Sequence, residues 1–450
     1  MAGSETSAAM LARGIVETLQ NRGHRAFLVG GCVRDLLLGR EPKDYDVATS
    51  ARPEEILSLF PDARQVGAHF GVMLVVKDGA QVEVATFRSD HAYFDGRRPV
   101  RVEFETDPHR DVLRRDFTVN ALLLDPRTGE VQDYTGGRGD LEARQIRAIG
   151  DPEVRFAEDH LRMLRGVRFA ATLGFEIDNA TMDAIRRLHA SIRRVSSERI
   201  RDELIRILIE GDARRGFELL DESGLLAEIL PEVAAMKGVP QPPEFHPEGD
   251  VWTHTLGMLG TMRAPAPTLA LGVLLHDVGK PPTFRIEGRI RFDGHASVGA
   301  EMAEAILTRL RFSTEEIGRV VALVANHLHF IEVRRMREST LKRFIRQPHF
   351  EEHLELHRLD CLGSHGQLDG YEFVRSRMAE LSEEALRPPK LLTGEDLIGA
   401  GYTPGPSFHQ ILALVEDAQL ESRVRTREDA LALVRSLFDP PGGTPKQVCR

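Results

Sequence analysis

Apolar positions recur at helical spacing over residues 11–22, and the segment that follows, AFLVGG, is a short apolar run closed by Gly30 and Gly31, a strand passing into a turn. VRDLLLG then predicts a helix stopped by Gly39. YDVAT, GVMLVVKDGAQVEVATF and ALLLD predict further strands, with Asp78-Gly79 as a hairpin turn. From about residue 155 to Met236 the period changes to helix after helix, with Arg-rich faces and almost no strand signal. The stretch GVPQPPEFHPEGD carries four prolines in thirteen residues and reads as a linker. A second helical run covers about 250–375, and Pro388-Pro389 precede a last helical segment broken by the turns of GAGYTPGPSF. The expected fold class is multidomain α+β. A mixed α/β head spans 1–150, a helical neck 151–237, a helical domain 250–375 and a C-terminal helical segment 388–450, with no repeat at solenoid periods.

A chain of 450 residues exceeds one ordinary core and implies two to four packing units, and 42% apolar with 28% charged residues is the composition of a globular protein. The net charge of -10 would repel a polyanion, so nucleic acid would have to meet local patches. Arg155 to Arg215 is such a patch, with 13 Arg, no Lys and 10 acidic residues. Cys32, Cys361 and Cys449 are too few and too scattered for a disulfide framework or a cysteine zinc site. The N-terminal residues lack a signal-peptide pattern, and no run approaches the roughly 18 apolar residues of a membrane span, so a cytoplasmic location and no membrane partner are expected.

Candidate chemistry gathers first around LVGGCVRDLLLGREPKDYDVAT. Asp44 and Asp46 are two apart on a predicted strand, so their carboxylates converge on one face, as a pair of Mg²⁺ ions requires. Gly30 and Gly31 let backbone N–H groups approach a triphosphate, with Arg34 and Asp35 one turn into the following helix. Glu83 is the candidate third acid. In RRDFTVNA, Arg115, Asp116 and Asn120 offer charge for phosphates and polar groups for a ribose. In EDHLR, Asp159 and Arg162 are three apart on a predicted helix and share a face. SSERIRDEL starts a helix at Ser196 or Ser197, its arginines read as structural support.

These blocks, in this order and continuing through DYTGGRGDLEARQIRAIGDP, resemble the polymerase-β-type nucleotidyltransferases of the class II tRNA CCA-adding and bacterial poly(A) polymerase family. The resemblance implies template-independent addition of CMP and AMP from CTP and ATP to the 3′ end of tRNA. It implies Asp44 and Asp46 as catalytic acids with Mg²⁺, beside Glu83 as the candidate third. It also implies Arg115, Asp116 and Asn120 for sugar and phosphate, and Glu158, Asp159 and Arg162 for base selection.

A second constellation comprises His254, His276, Asp277, His295, His327 and Asp360, placed in predicted helices or at their ends. Mixed histidine and carboxylate ligands suit transition metals or Mg more than Ca. The pair His276-Asp277 after an apolar run resembles the HD superfamily of metal-dependent phosphohydrolases. That resemblance implies His254, His276, Asp277 and Asp360 as a first site for Ni, Mn, Co, Fe or Zn, with His295 and His327 completing a dinuclear one. The implied substrate is a phosphoester at an RNA end.

Poly(A) addition and A-only addition are the nearest alternatives. From another class, the chain would be a nucleotide-sensing regulator whose only enzyme is the HD domain. The loop holding Asp95-Gly96-Arg97-Arg98-Pro99 resembles the one full CCA-adding and A-adding enzymes keep, which counts against CC-only addition. VGAHFGVMLVV looks more like the CCA-adding variant than the poly(A) form. A homodimer is the assembly entertained.

Overall fold

The computed structural model describes residues 6–67, 71–93, 99–244 and 246–438. The chain divides into two compact units, the first over 1–237 with 263–270 and 305–313, the second comprising 238–262, 271–304 and 314–450.

In the first unit, helix α1 (Ser7–Asn21) buries Ala12, Ile15, Val16 and Leu19, the stripe expected of its period. Strands β1 (Ala26–Val29), β2 (Asp46–Thr49), β3 (Arg64–Gly67), β4 (Val72–Lys77), β5 (Ala80–Thr86), β8 (Leu123–Leu124) and β9 (Val131–Gln132) form a mixed sheet in the order β3-β4-β5-β2-β1-β8-β9. Between β5 and β8, β6 (Arg88–Tyr93) and β7 (Pro99–Phe104) pair as a separate antiparallel ribbon. Within the sheet only β2 and β5 run parallel; β1 pairs antiparallel with both β2 and β8. The core against the sheet holds Phe27, Val29, Ala48, Phe87, Val112, Ala121, Leu123 and Ile149.

The predicted hairpin is present: β4 and β5 join at Asp78 and Gly79, both with positive φ (51° and 80°), the requirement of a two-residue turn of this hand. Most of the DGRRP loop, residues 95–98, lies outside the described residues, as do residues 68–70 of VGAHFGVMLVV and Cys449.

Helix α2 (Gly31–Leu37) follows β1 through Gly30, at φ 79° and ψ -136°, a backbone conformation only glycine adopts readily. Helices α3 (Pro53–Leu59), α4 (Pro108–Leu113) and α5 (Gly137–Glu142) complete the head. The neck then runs through α6 (Pro152–Glu158), α7 (Leu161–Leu173), α8 (Asn179–Leu188), α9 (Ser197–Ile209) and α10 (Ala213–Glu222). One expectation fails here. Asp159 and Arg162 do not share a helix, because α6 ends at Glu158 and Asp159 is extended (φ -147°, ψ 105°). The Asp159 carboxylate accepts from Leu161 N at 3.1 Å within the two-residue break between α6 and α7, whose N-cap is His160.

The second unit is helical. An aromatic cluster of Phe330, Phe344 and Phe350 with Leu341, Leu354 and Val374 forms one core. The segment after Pro389 has its own, built from Leu392, Leu397, Tyr402, Ile411, Val415 and Val434, with the Tyr402 hydroxyl donating to Phe438 O at 3.1 Å. The proline-rich stretch belongs to this unit and is more than a linker. Asp250 Oδ2 accepts from Gly238 N at 2.6 Å and Val251 N donates to Val239 O at 3.1 Å, closing 238–251 into a pinned loop. Among the described residues no helix is long and apolar enough to cross a membrane.

Candidate active sites

In the first unit a cleft of about 690 Å³ opens between the head and the neck helices. Gly30, Gly31, Arg34, Asp44, Asp46, Arg115, Asp116, Asn120, Asp159 and Arg162 all line it. Asp46 opens β2, but Asp44 lies before that strand, so the two acids are not alternate strand residues as expected. The acid that shares a sheet register with Asp46 is Glu83, its partner on the parallel strand β5. Burial together with the charges of Glu83 and Asp44 pushes the Asp46 carboxyl up to about 6, Arg115 pulling the other way. A buried acid beside two further acids is chemically fitted to a divalent cation, which would offset both the desolvation and the repulsion.

Beside the acids, Arg115 is held by buried Asp111, its Nη2 donating to Oδ2 at 3.0 Å. A Cβ on Gly30 would lie 3.7 Å from both Arg115 Nη1 and Asp46 Oδ2, so the turn passes directly between the cation and the acid. Arg34 Nη1 donates to Asn120 Oδ1 at 2.7 Å and its Nε to Asp35 Oδ1 at 2.8 Å. Asp116 is already engaged: Arg165 Nη2 lies 2.6 Å from its Oδ2 and Phe117 N donates to its Oδ1 at 2.8 Å. Burial would raise the Asp116 carboxyl, but the Arg165 charge and hydrogen bonds outweigh it and hold it down at about 2.

The base-reading candidates occupy the neck side. Arg162 Nη1 donates to Glu158 Oε2 at 2.5 Å and to Arg155 O at 3.0 Å, and its Nη2 to Arg114 O at 2.9 Å. Asp159 is gripped by Arg199 of α9, Nη1 to Oδ1 at 3.1 Å and Nη2 to Oδ2 at 2.7 Å. The sequence marks Arg199, in SSERIRDEL, only as structural support, and does not single out Arg165 or Arg168. Arg168 bonds Glu203 at 2.6 Å, and the guanidinium groups of Arg34, Arg165 and Arg168 lie 5.4, 5.2 and 4.1 Å from the Phe169 ring. The available signal was the spacing of Arg162, Arg165 and Phe169 along one helix, which repeats at three and four residues.

In the second unit the HD residues converge. His254, His276 and Asp360 offer ligand atoms within 4.8 Å of one another, and so do Asp277, His295 and His327. The grouping differs from the expected one, since Asp277 falls with His295 and His327. Its two oxygens explain this: Oδ2 lies 3.1 Å from His276 Nε2, while Oδ1 lies 3.5 Å from His295 Nε2 and 3.8 Å from His327 Nε2. Asp277 therefore stands between the two groups. His254 Nε2, His276 Nε2 and Asp277 Oδ1 are buried without a hydrogen-bond partner. Buried polar atoms in native proteins find partners, so these orphans, two in the first group and one in the second, fit metal ligation. Burial would keep His254 neutral, but Asp360 and Glu248 push it up to about 10; burial lowers His327 to about 4.

Residues 26–147 match the family described as "Poly A polymerase head domain", residues 174–237 the family "Probable RNA and SrmB- binding site of polymerase A", and residues 251–356 the "HD domain". A CC-adding tRNA nucleotidyltransferase of Thermus thermophilus is 36% identical over 426 residues, which cover 91% of this chain and 93% of that protein. A CCA-adding enzyme of Geobacillus sp. is 44% identical over 214 residues, 48% of this chain, and the match spans about half, 53%, of that relative. Among solved structures, the Bacillus stearothermophilus CCA-adding enzyme in complex with CTP aligns with a TM-score of 0.75 at 27% identity, over 96% of this chain and 98% of that one.

Proposed function

The chain belongs to the family of tRNA CCA-adding enzymes and bacterial poly(A) polymerases, and from that membership we propose that it adds CMP and AMP, from CTP and ATP, to the 3′ end of tRNA without a nucleic-acid template. The observation that carries the reading is one cleft holding the acids Asp44 and Asp46 on the head side and Asp159 and Arg162 on the neck side.

Asp44, Asp46 and Glu83 are the residues that would hold Mg²⁺, which when bound polarises the attacking hydroxyl and the transferred phosphoryl group. The Gly30–Gly31 turn, Arg34 and Arg115 receive the triphosphate. Asn120, fixed by Arg34, faces the sugar, and Asp116, occupied by Arg165, positions Asn120 through the 3.4 Å contact of its Oδ1 with Nδ2.

Base choice follows from donor and acceptor counting. A carboxylate oxygen accepts about two hydrogen bonds. Asp159 Oδ2 takes one from Arg199, so one lone pair remains for an exocyclic amine. Cytosine N4 and adenine N6 both donate there, whereas guanine O6 and uracil O4 present an oxygen that a carboxylate repels. One acidic side chain thus admits C and A together and rejects G and U. Arg162, held by Glu158, supplies the complementary donors.

The HD residues of the second unit would hold a divalent transition metal, which when bound lowers the pKa of a water to give hydroxide near neutral pH. The matching activity is hydrolysis of a phosphoester at an RNA end, such as a 2′,3′-cyclic phosphate or a phosphomonoester. A cytoplasmic site of action, alongside tRNA, completes the reading.

The test is incorporation of labelled CTP and ATP into tRNA lacking its 3′ end, with the product sequenced. Products ending in CCA are expected. A product ending in CC would instead assign the partial activity named for the Thermus relative, which is matched over 93% of its length. No incorporation in the presence of Mg²⁺ would overturn the reading.

A further inference from the structure

The four candidate ligand histidines, His254, His276, His295 and His327, are oriented in one manner, with one exception. His276 Nδ1 bonds Val273 O at 2.8 Å, His295 Nδ1 bonds Phe292 O at 2.9 Å, and His327 Nδ1 bonds Val324 O at 2.7 Å. Each ring is tied by the backbone carbonyl three residues earlier, leaving Nε2 for the centre. His254 alone departs from this. Its Nδ1 lies 2.7 Å from Glu248 Oε1, with Gly363 O more distant at 3.3 Å.

Glu248 comes from the proline-rich stretch. Described residues of that loop are tied down: Gly238 N donates to Asp250 Oδ2 at 2.6 Å, Lys280 Nζ donates to Gln241 Oε1 at 2.6 Å, and His246 Nδ1 lies 2.9 Å from the same Glu248 oxygen. The second carboxylate oxygen, Oε2, is buried without a partner. An ionised carboxylate can only accept, so His254 Nδ1 donates to Glu248 and Nε2 is the ring atom left facing His276 and Asp360.

We propose that Glu248 is the positioning residue of the metal centre. It fixes the tautomer of His254 and, through its charge, makes that imidazole a stronger ligand than the three tied to neutral carbonyls. This rests on the proposed hydrolase reading. The physical basis is general: a carboxylate on the outer nitrogen of a liganding histidine raises its basicity and orients the ring, and its loss costs roughly ten- to a hundredfold in metal affinity. The loop that reads in the sequence as a connector is thereby a structural component of the centre.

The experiment measures Mn²⁺ affinity by competition with a fluorescent chelator. It uses the full chain carrying Asp44→Ala and Asp46→Ala, so that the acidic cleft contributes no binding. Glu248→Gln keeps the shape and the hydrogen bond but removes the charge; Glu248→Ala removes both. Affinity is expected to fall in the order parent, Gln, Ala, with Ala weaker by about ten- to a hundredfold. Melting of the metal-free chains reports that the near-isosteric Gln variant is folded. Affinities of both variants within about threefold of the parent overturn the assignment of Glu248 alone. A parent that binds no Mn²⁺ overturns the metal-centre reading and this inference with it.

Discussion

Asp46 and Glu83 face each other at the same register of the parallel strands β2 and β5, so two acids distant in sequence are held side by side by backbone hydrogen bonds alone. Burial, reinforced by the charge of Glu83, raises the Asp46 carboxyl. A site of this kind is costly unless a cation occupies it.

Asp44→Ala and Asp46→Ala are accordingly expected to abolish nucleotide addition, by at least about a hundredfold in kcat, while leaving hydrolysis by the second unit intact. Glu83→Gln should fall in the same class. The check is single-turnover incorporation of CTP alongside a phosphodiesterase assay. Near-normal addition by the Asp44 and Asp46 variants would remove the proposed active site.

Asp159→Ala and Arg162→Ala are expected to relax nucleotide choice. Loss of one base-edge contact should lower the CTP-over-UTP and ATP-over-GTP preference by about 1 to 3 kcal/mol, roughly 5- to 150-fold. Arg199→Lys keeps a charge but loses the two-pronged grip on Asp159 and should show an intermediate loss. Competition assays with all four nucleotides give the ratios directly; unchanged ratios in both Ala variants place base choice elsewhere.

Changing His276 and Asp277 together to Ala removes one ligand from each half of the HD cluster. Hydrolysis should vanish and most nucleotide addition should remain. A metal series should separate the two activities further, Mg²⁺ serving the acid-only cleft and Ni²⁺, Mn²⁺ or Co²⁺ serving the histidine-rich one. Parallel collapse of both activities in a chain that still melts cooperatively would refute this independence.

Gly279→Ala tests packing beside the same cluster. A Cβ there would lie 2.2 Å from His295 O and 2.6 Å from Gly299 N, and both are backbone atoms that cannot rotate away. The substitution should cost about 1 to 3 kcal/mol, read as a lowered Tm, and should weaken hydrolysis more than addition because His295 must shift. An unchanged Tm with full hydrolysis would show that the backbone yields there freely.

Much of this arrangement is legible in the residues themselves. The Gly30 turn, the Asp78-Gly79 hairpin and the α1 stripe follow from local rules, and the family motifs carry the acids and the HD ligands. What local rules cannot supply is pairing across the fold. Asp44 and Asp46 look like alternate strand residues, yet β2 starts only at Asp46. Asp159 and Arg162 look like one helical face, although Asp159 before an apolar run is itself a helix-start signal. Arg199 on Asp159 joins positions 40 residues apart, and no periodicity announces such a partner. The proline-rich stretch misleads for a similar reason: composition reports that it is irregular, not that Glu248 within it touches His254.

The inward aim of the four imidazoles has a consequence for what a purified sample will contain. Three rings are tied by main-chain carbonyls and one by a carboxylate, so protein groups hold their orientation independently of the bound ion. Chelation should therefore empty the centre without melting the helices, unlike a zinc finger, whose fold depends on its metal. Affinity of such ligands rises along the divalent series whatever the reaction requires. The ion found after expression will then record the growth medium and the affinity column as much as the enzyme, and activity should be compared only after stripping and reloading.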